Sequence, residues 1–107
     1  PDIARMQIEK TFKGPLKGTS HGQMLSYRSP VEGSAAYVAI EKVDGELHGE
    51  KGTFVLAHRG LMDRTLPTLH LDIVADSGTD DLKGIAGEMD IDVVDGTHHY
   101  TLRYEIP

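Results

Sequence analysis

The sequence predicts an all-β fold, a small antiparallel up-and-down meander that curls into a barrel. Three observations carry that expectation. Apolar residues recur with a period of two in almost every segment, and no window sustains a helical stripe. Clusters of Gly, Pro and Asp interrupt the pattern often enough for about seven strands.

The elements follow in chain order. Ala4, Met6, Ile8 and Phe12 alternate with Arg5, Gln7, Glu9 and Thr11, which is the signature of a half-buried strand. The run Ala36 to Ile40 is apolar on both faces. Phe54, Leu56 and His58 share one face of the next strand, and Leu69, Leu71 and Ile73 repeat the pattern. Met89, Ile91 and Val93 alternate with Glu88, Asp90 and Asp92, and Tyr100, Leu102, Tyr104 and Ile106 close the series. Asp44-Gly45 and Asp95-Gly96 both suit a two-residue hairpin whose central residues take positive φ. Longer connections are expected at Arg28 to Ser34, Gly60 to Thr68 and Asp76 to Asp81. A weak repeat, Leu-x-Gly followed by a further Gly, starts at Leu16, Leu47 and Leu82, and such strand glycines mark bends where backbones approach.

Composition narrows the function classes. The 107 residues fit one domain, 1–107, and Leu, Ile, Val and Phe make up about a quarter of them, enough for a modest core. Net charge is −6 with no basic run, which argues against a nucleic-acid partner. The chain has no cysteine, so disulfides and thiolate chemistry are excluded. No apolar run is long enough for a helix to cross a membrane, no secretory leader is visible, and a cytoplasmic protein is expected.

His58 is the most informative single residue. It shares the face of Phe54 and Leu56, so it points where apolar groups point. Two readings stand side by side: a core histidine satisfied by a neighbouring strand, or a polar group at the base of a ligand cavity. Glu41 shares a face with Tyr37 and Ala39. If that face turns inward, Glu41 is a buried acid and a natural partner for His58; if Val38 and Ile40 turn inward, it is an ordinary surface carboxylate. The six histidines do not form a metal site: His98 and His99 are adjacent and must point apart, and the others are scattered one per segment. No metal and no cofactor are therefore expected. Ser77-Gly78-Thr79 lacks the flanking glycines of a nucleophile elbow and reads as a hydroxyl-rich turn that sets the next strand.

Several motifs together add a resemblance. These are Phe12-Lys13-Gly14 with Leu16-x-Gly18, then Tyr37-Val38-Ala39-x-Glu41, and the long run Asp44-Gly45-x-Leu47-x-Gly49-x-x-Gly52-Thr53-Phe54-Val55-Leu56-x-His58-x-Gly60. Ser77-Gly78-Thr79 with Leu82-x-Gly84 and His99-Tyr100-x-Leu102-x-Tyr104 complete the set. Over nearly the whole chain they resemble a bacterial domain family of unknown function with the allene oxide cyclase-like barrel. The resemblance implies an eight-stranded, lipocalin-like barrel whose first strand lies upstream of the one beginning near Ile3. It brings no established function. Asp80-Asp81 departs from the family pattern of a glycine followed by an acid.

The functional expectation is a cavity that binds a small apolar or mixed-polarity molecule, with cofactor-free chemistry open to it. Its candidate residues are His58, Glu41, Tyr37, Phe54, Leu56, Tyr100 and Tyr104. The alternative is a structural, self-associating barrel whose interior is filled by its own side chains. The apolar outer face of Ala36 to Ile40 makes a homo-oligomer an expectation of either reading.

Overall fold

The computed structural model describes residues 3–64 and 66–107, with the backbone alone at 66, 67, 93, 94 and 98. Seven strands follow one another: β1 (Ile3–Phe12), β2 (Leu16–Arg28), β3 (Ala35–Leu47), β4 (Glu50–Asp63), β5 (Leu66–Ile73), β6 (Ala86–Val94) and β7 (Thr97–Glu105). Each pairs antiparallel with the next in a single sheet of order β1-β2-β3-β4-β5-β6-β7. Among the described residues the other regular element is a 3-10 turn at Asp80–Leu82. The all-β meander is therefore as the sequence predicts. The expected closed, eight-stranded barrel is not what the described residues form: there are seven strands, and β1 and β7 are not hydrogen-bonded to each other.

Period two decides the faces. Val38 and Ile40 are 52% and 57% exposed, whereas Ala39, Glu41 and Val43 on the same strand are buried. The Glu41 face therefore turns inward. The concave side is filled at one end by Phe12, Leu16, Val43, Leu47, Phe54 and Leu56, with Leu82 and Ile85 packed onto them from the β5–β6 connection. That connection continues the sheet after β5 leaves it. The Val74 amide donates to the Val55 carbonyl at 2.8 Å and the Thr79 amide to the Thr53 carbonyl at 2.9 Å. Ser77 Oγ accepts from the Val55 amide at 3.0 Å, and Thr79 Oγ1 from the Thr53 amide at 2.9 Å. The hydroxyl-rich turn thus anchors the approach to β6 along the edge of β4.

One of the two expected hairpin turns is displaced. Asp95-Gly96 joins β6 to β7 with φ of 50° and 77°, as its sequence requires. Asp44-Gly45 lies inside β3, and the chain reverses instead at His48-Gly49, with φ of 48° and 87°. Gly45 is paired with Gly18 on one side and Gly52 on the other, so three neighbouring positions carry no side chain and the strand runs through them. The connection expected from Gly60 to Thr68 is also shorter than its composition suggests. β4 runs to Asp63 and β5 starts at Leu66, so only Arg64 and Thr65 remain, and Thr65 lies outside the described residues. The sequence pattern placed Val93 beside Met89 and Ile91, and His98 opposite His99; both side chains lie outside the described residues.

Candidate functional site

Strand register places the inward-facing residues in rows across β1 to β5. One row is Lys10, Ser20, Val43, Phe54. The next is Ile8, Gly22, Glu41, Leu56, Ile73, followed by Met6, Met24, Ala39, His58, Leu71 and then Ala4, Ser26, Tyr37, Gly60, Leu69. Small residues sit directly beside the polar ones. Gly22 is opposite Glu41, Ala39 opposite His58 and Gly60 opposite Tyr37. Without those small neighbours three long side chains could not lie down on one concave surface. Gly60 shows the constraint most directly: a Cβ there would come within 2.0 Å of the Tyr37 ring.

Glu41 is the centre of the arrangement. Its side chain is fully buried. One carboxylate oxygen, Oε1, accepts from His58 Nε2 at 2.7 Å and from Lys10 Nζ at 3.4 Å. The other, Oε2, accepts from the Ser20 hydroxyl. Burial alone pushes the Glu41 carboxyl toward protonation, but the hydrogen bonds from His58 and Ser20 and the charge of Lys10 outweigh it. The net shift is downward, so Glu41 is an anion at neutral pH. An ionised carboxylate is acceptor only, which makes Nε2 of His58 the nitrogen that carries the proton. Nδ1 has no hydrogen bond to any other described residue. Tyr37 lies alongside, its ring centroid 6.5 Å from that of His58. Burial and the nearby Glu41 charge raise its phenol above the ordinary value.

Beyond Tyr37 the concave face opens. A hollow of about 420 Å³ is bounded by Met6, Met24, Tyr37, Gly60, Leu69 and other mostly apolar groups, with Arg28 at its rim. Its inner end contains Met6 and Met24, the same row as His58. The hollow and the buried polar cluster therefore adjoin.

The residues singled out from sequence fall into three places. Tyr37, Glu41 and His58 come together, and Phe54 and Leu56 form the apolar floor beside them. Tyr100 reaches across from β7: its ring meets Phe12 edge-on at 5.4 Å, and Lys10 Nζ lies 5.7 Å from its centroid. Tyr104 is elsewhere, stacked on His48 at 6.4 Å beside a second hollow of about 600 Å³ that also takes in Phe12, Leu16 and Leu47. Lys10 and Ser20 are members of the cluster that sequence reasoning missed. Lys10 occupies an even position between Ile8 and Phe12, and that period was the available signal. No described residues group three or more His, Asp or Glu in a way that could hold a metal ion.

Comparison with known proteins now fixes the family. Residues 1–104 match the family model described as protein of unknown function (DUF3224). The chain belongs to the DUF3224 family. A solved structure from Shewanella oneidensis MR-1, a DUF3224 protein with unknown function, is 44% identical to this chain with a TM-score of 0.95. The match covers 98% of this chain and 78% of that one. No curated protein matches. No helix among the described residues is long and apolar enough to cross a membrane.

Proposed function

We propose that this DUF3224 protein binds a small, apolar or mixed-polarity molecule on the concave face of its sheet. The observation that carries the reading is the juxtaposition of an apolar hollow with a hydrogen-bonded cluster in which Glu41, Ser20 and His58 are buried and Lys10 is half-buried. Small-molecule sites combine an apolar wall with a few fixed polar groups in this way, and about 420 Å³ falls within their range of sizes. Tyr37 forms the wall between hollow and cluster, Phe54 and Leu56 the floor, and Tyr100 backs Lys10. Nδ1 of His58 can accept a hydrogen bond or a proton from a ligand, so cofactor-free proton transfer lies within the chemistry of the site.

The reading treats the sheet as the greater part of a lipocalin-like, allene oxide cyclase-like barrel. The Phe12–Tyr100 contact supports this, since side chains of the two edge strands already meet across the gap. Fold analogy to a cyclase says nothing of the reaction. The protein is taken to be cytoplasmic and homo-oligomeric. Self-association is favoured by the outer face, where Leu25 pairs with Val38 next to Ile40, all three exposed.

Native mass spectrometry of the protein purified from a bacterial cytoplasm tests these statements together. The expected spectrum is an oligomer carrying a stoichiometric small-molecule mass that leaves on denaturation. A bare species with no adduct, unchanged by incubation with a library of apolar acids, alcohols and ketones, contradicts ligand binding and supports an interior that serves only the fold. A monomer contradicts self-association.

A further inference from the structure

The charge at the mouth of the hollow specifies the ligand further. Among the described residues that bound it, Arg28 is the one that is charged; the rest are apolar except for Ser26, Thr68 and the Tyr27 and Tyr37 phenols. Arg28 ends β2 and pairs with Ala35, the first residue of β3. The connection between them is closed by the Ser29 amide donating to the Ser34 carbonyl at 2.9 Å, so the backbone that carries the guanidinium is held at the rim. Ion pairs among the described residues engage Lys10, Lys51, Arg64 and Arg103 and leave Arg28 without one. Among the described residues two carboxylates lie close in sequence to the rim elements, Glu32 in the β2–β3 connection and Asp63 at the end of β4. Neither bounds the hollow, and Asp63 is already beside Arg64 at 3.6 Å.

A chain of net charge −6 repels anions at long range, so a lone cation at the entrance of an apolar hollow is a local reversal of sign. The guanidinium offers a planar pair of donors that matches a carboxylate. Behind it the wall is built from methionines, which adapt to the shape of an alkyl or alicyclic body, and from the Tyr37 ring lying over Gly60. From these features we infer that the site takes a monoanionic amphiphile: a carboxylic acid whose head is held by Arg28 at the rim and whose apolar body runs inward over Tyr37, Met6 and Met24 toward His58. This rests on the ligand-binding reading above and adds the ligand's charge and direction to it.

The test is calorimetric titration of the wild-type protein with octanoate, octan-1-ol and octyltrimethylammonium, at low and at physiological ionic strength. Octanoate is expected to bind about tenfold more tightly than the alcohol, as a charge-assisted hydrogen bond provides. Salt should weaken octanoate alone. Arg28→Gln should abolish the preference for octanoate over the alcohol, and Arg28→Lys should retain part of it. Arg28 is exposed, so both variants should keep the wild-type circular dichroism spectrum. Equal binding of octanoate and octanol by the wild type, or no change in Arg28→Gln, overturns the carboxylate assignment and leaves the pocket standing. Tightest binding of the ammonium reverses its sign. Binding of none of the three removes the assignment and the pocket reading with it.

Discussion

Glu41→Ala is expected to cost about 2–6 kcal/mol of folding stability, because it leaves two buried polar groups without a partner at roughly 1–3 kcal/mol each. The variant strands His58, which is 6% exposed, and the Ser20 hydroxyl, while Lys10 can swing toward solvent. Against a typical total of roughly 5–15 kcal/mol, that loss is visible as a large drop in the urea midpoint. Glu41→Gln retains the shape and an acceptor for His58, and should lose clearly less. Replacing both partners, Glu41→Leu with His58→Leu, should recover part of the loss, because the Ser20 hydroxyl is then the one buried group of the cluster still without its partner. The effect depends on pH with a defined sign. The native pKa of Glu41 lies below that of the unfolded chain, so its contribution is complete above the unfolded value. It disappears as pH falls through the native one. The gap between wild type and Glu41→Ala should therefore be widest near neutrality and narrow in acid. A gap that is small at neutral pH, or that widens in acid, contradicts the ionised, hydrogen-bonded carboxylate.

Gly22→Ala is the second large effect. A Cβ at this position would lie 2.0 Å from the Ile40 carbonyl oxygen and 2.7 Å from Glu41 Cα, both backbone atoms of β3. Side-chain rotation cannot relieve such a contact, so β2 and β3 must move apart at the row that holds Glu41. The expected loss is about 3 kcal/mol, at the upper end for overpacking. Amide hydrogen exchange should show the weakening confined to the ladder around Gln23 to Lys42. Wild-type stability and protection in Gly22→Ala would show that β2 and β3 do not approach this closely.

The sequence made much of this arrangement legible because period two is a local signal with a physical cause. Alternation assigned His58 to the core face from its own strand, and the cluster confirms that its neighbours are buried with it. The side on which Glu41 falls was not legible from β3, whose residues are apolar on both faces at Ala36 to Ile40. Only packing against β2 and β4 decides it. Lys10 and Ser20 escaped because charged and hydroxyl side chains are ordinarily read as solvent-facing, although both occupy inward positions of their strands. Asp44-Gly45 carries the preferred chemistry of a two-residue turn, but three adjacent glycines, Gly18, Gly45 and Gly52, allow the ladder to continue through it. The reversal then falls at His48-Gly49, where histidine takes a positive φ that is uncommon for non-glycine residues but that histidine adopts more readily than most. Closure of a barrel is a property of edges, and alternation within strands does not report whether β1 meets β7.

The most direct test of the central claim is the imidazole spectrum of His58 in a uniformly 15N-labelled protein, recorded through long-range proton–nitrogen couplings. His58 is expected to carry a proton at Nε2 that is protected from exchange with water, with its signal lost in Glu41→Ala. A His58 signal with the tautomer mixture and rapid exchange of the exposed His21, unaffected by replacement of Glu41, would contradict the buried pair on which the proposed site is built.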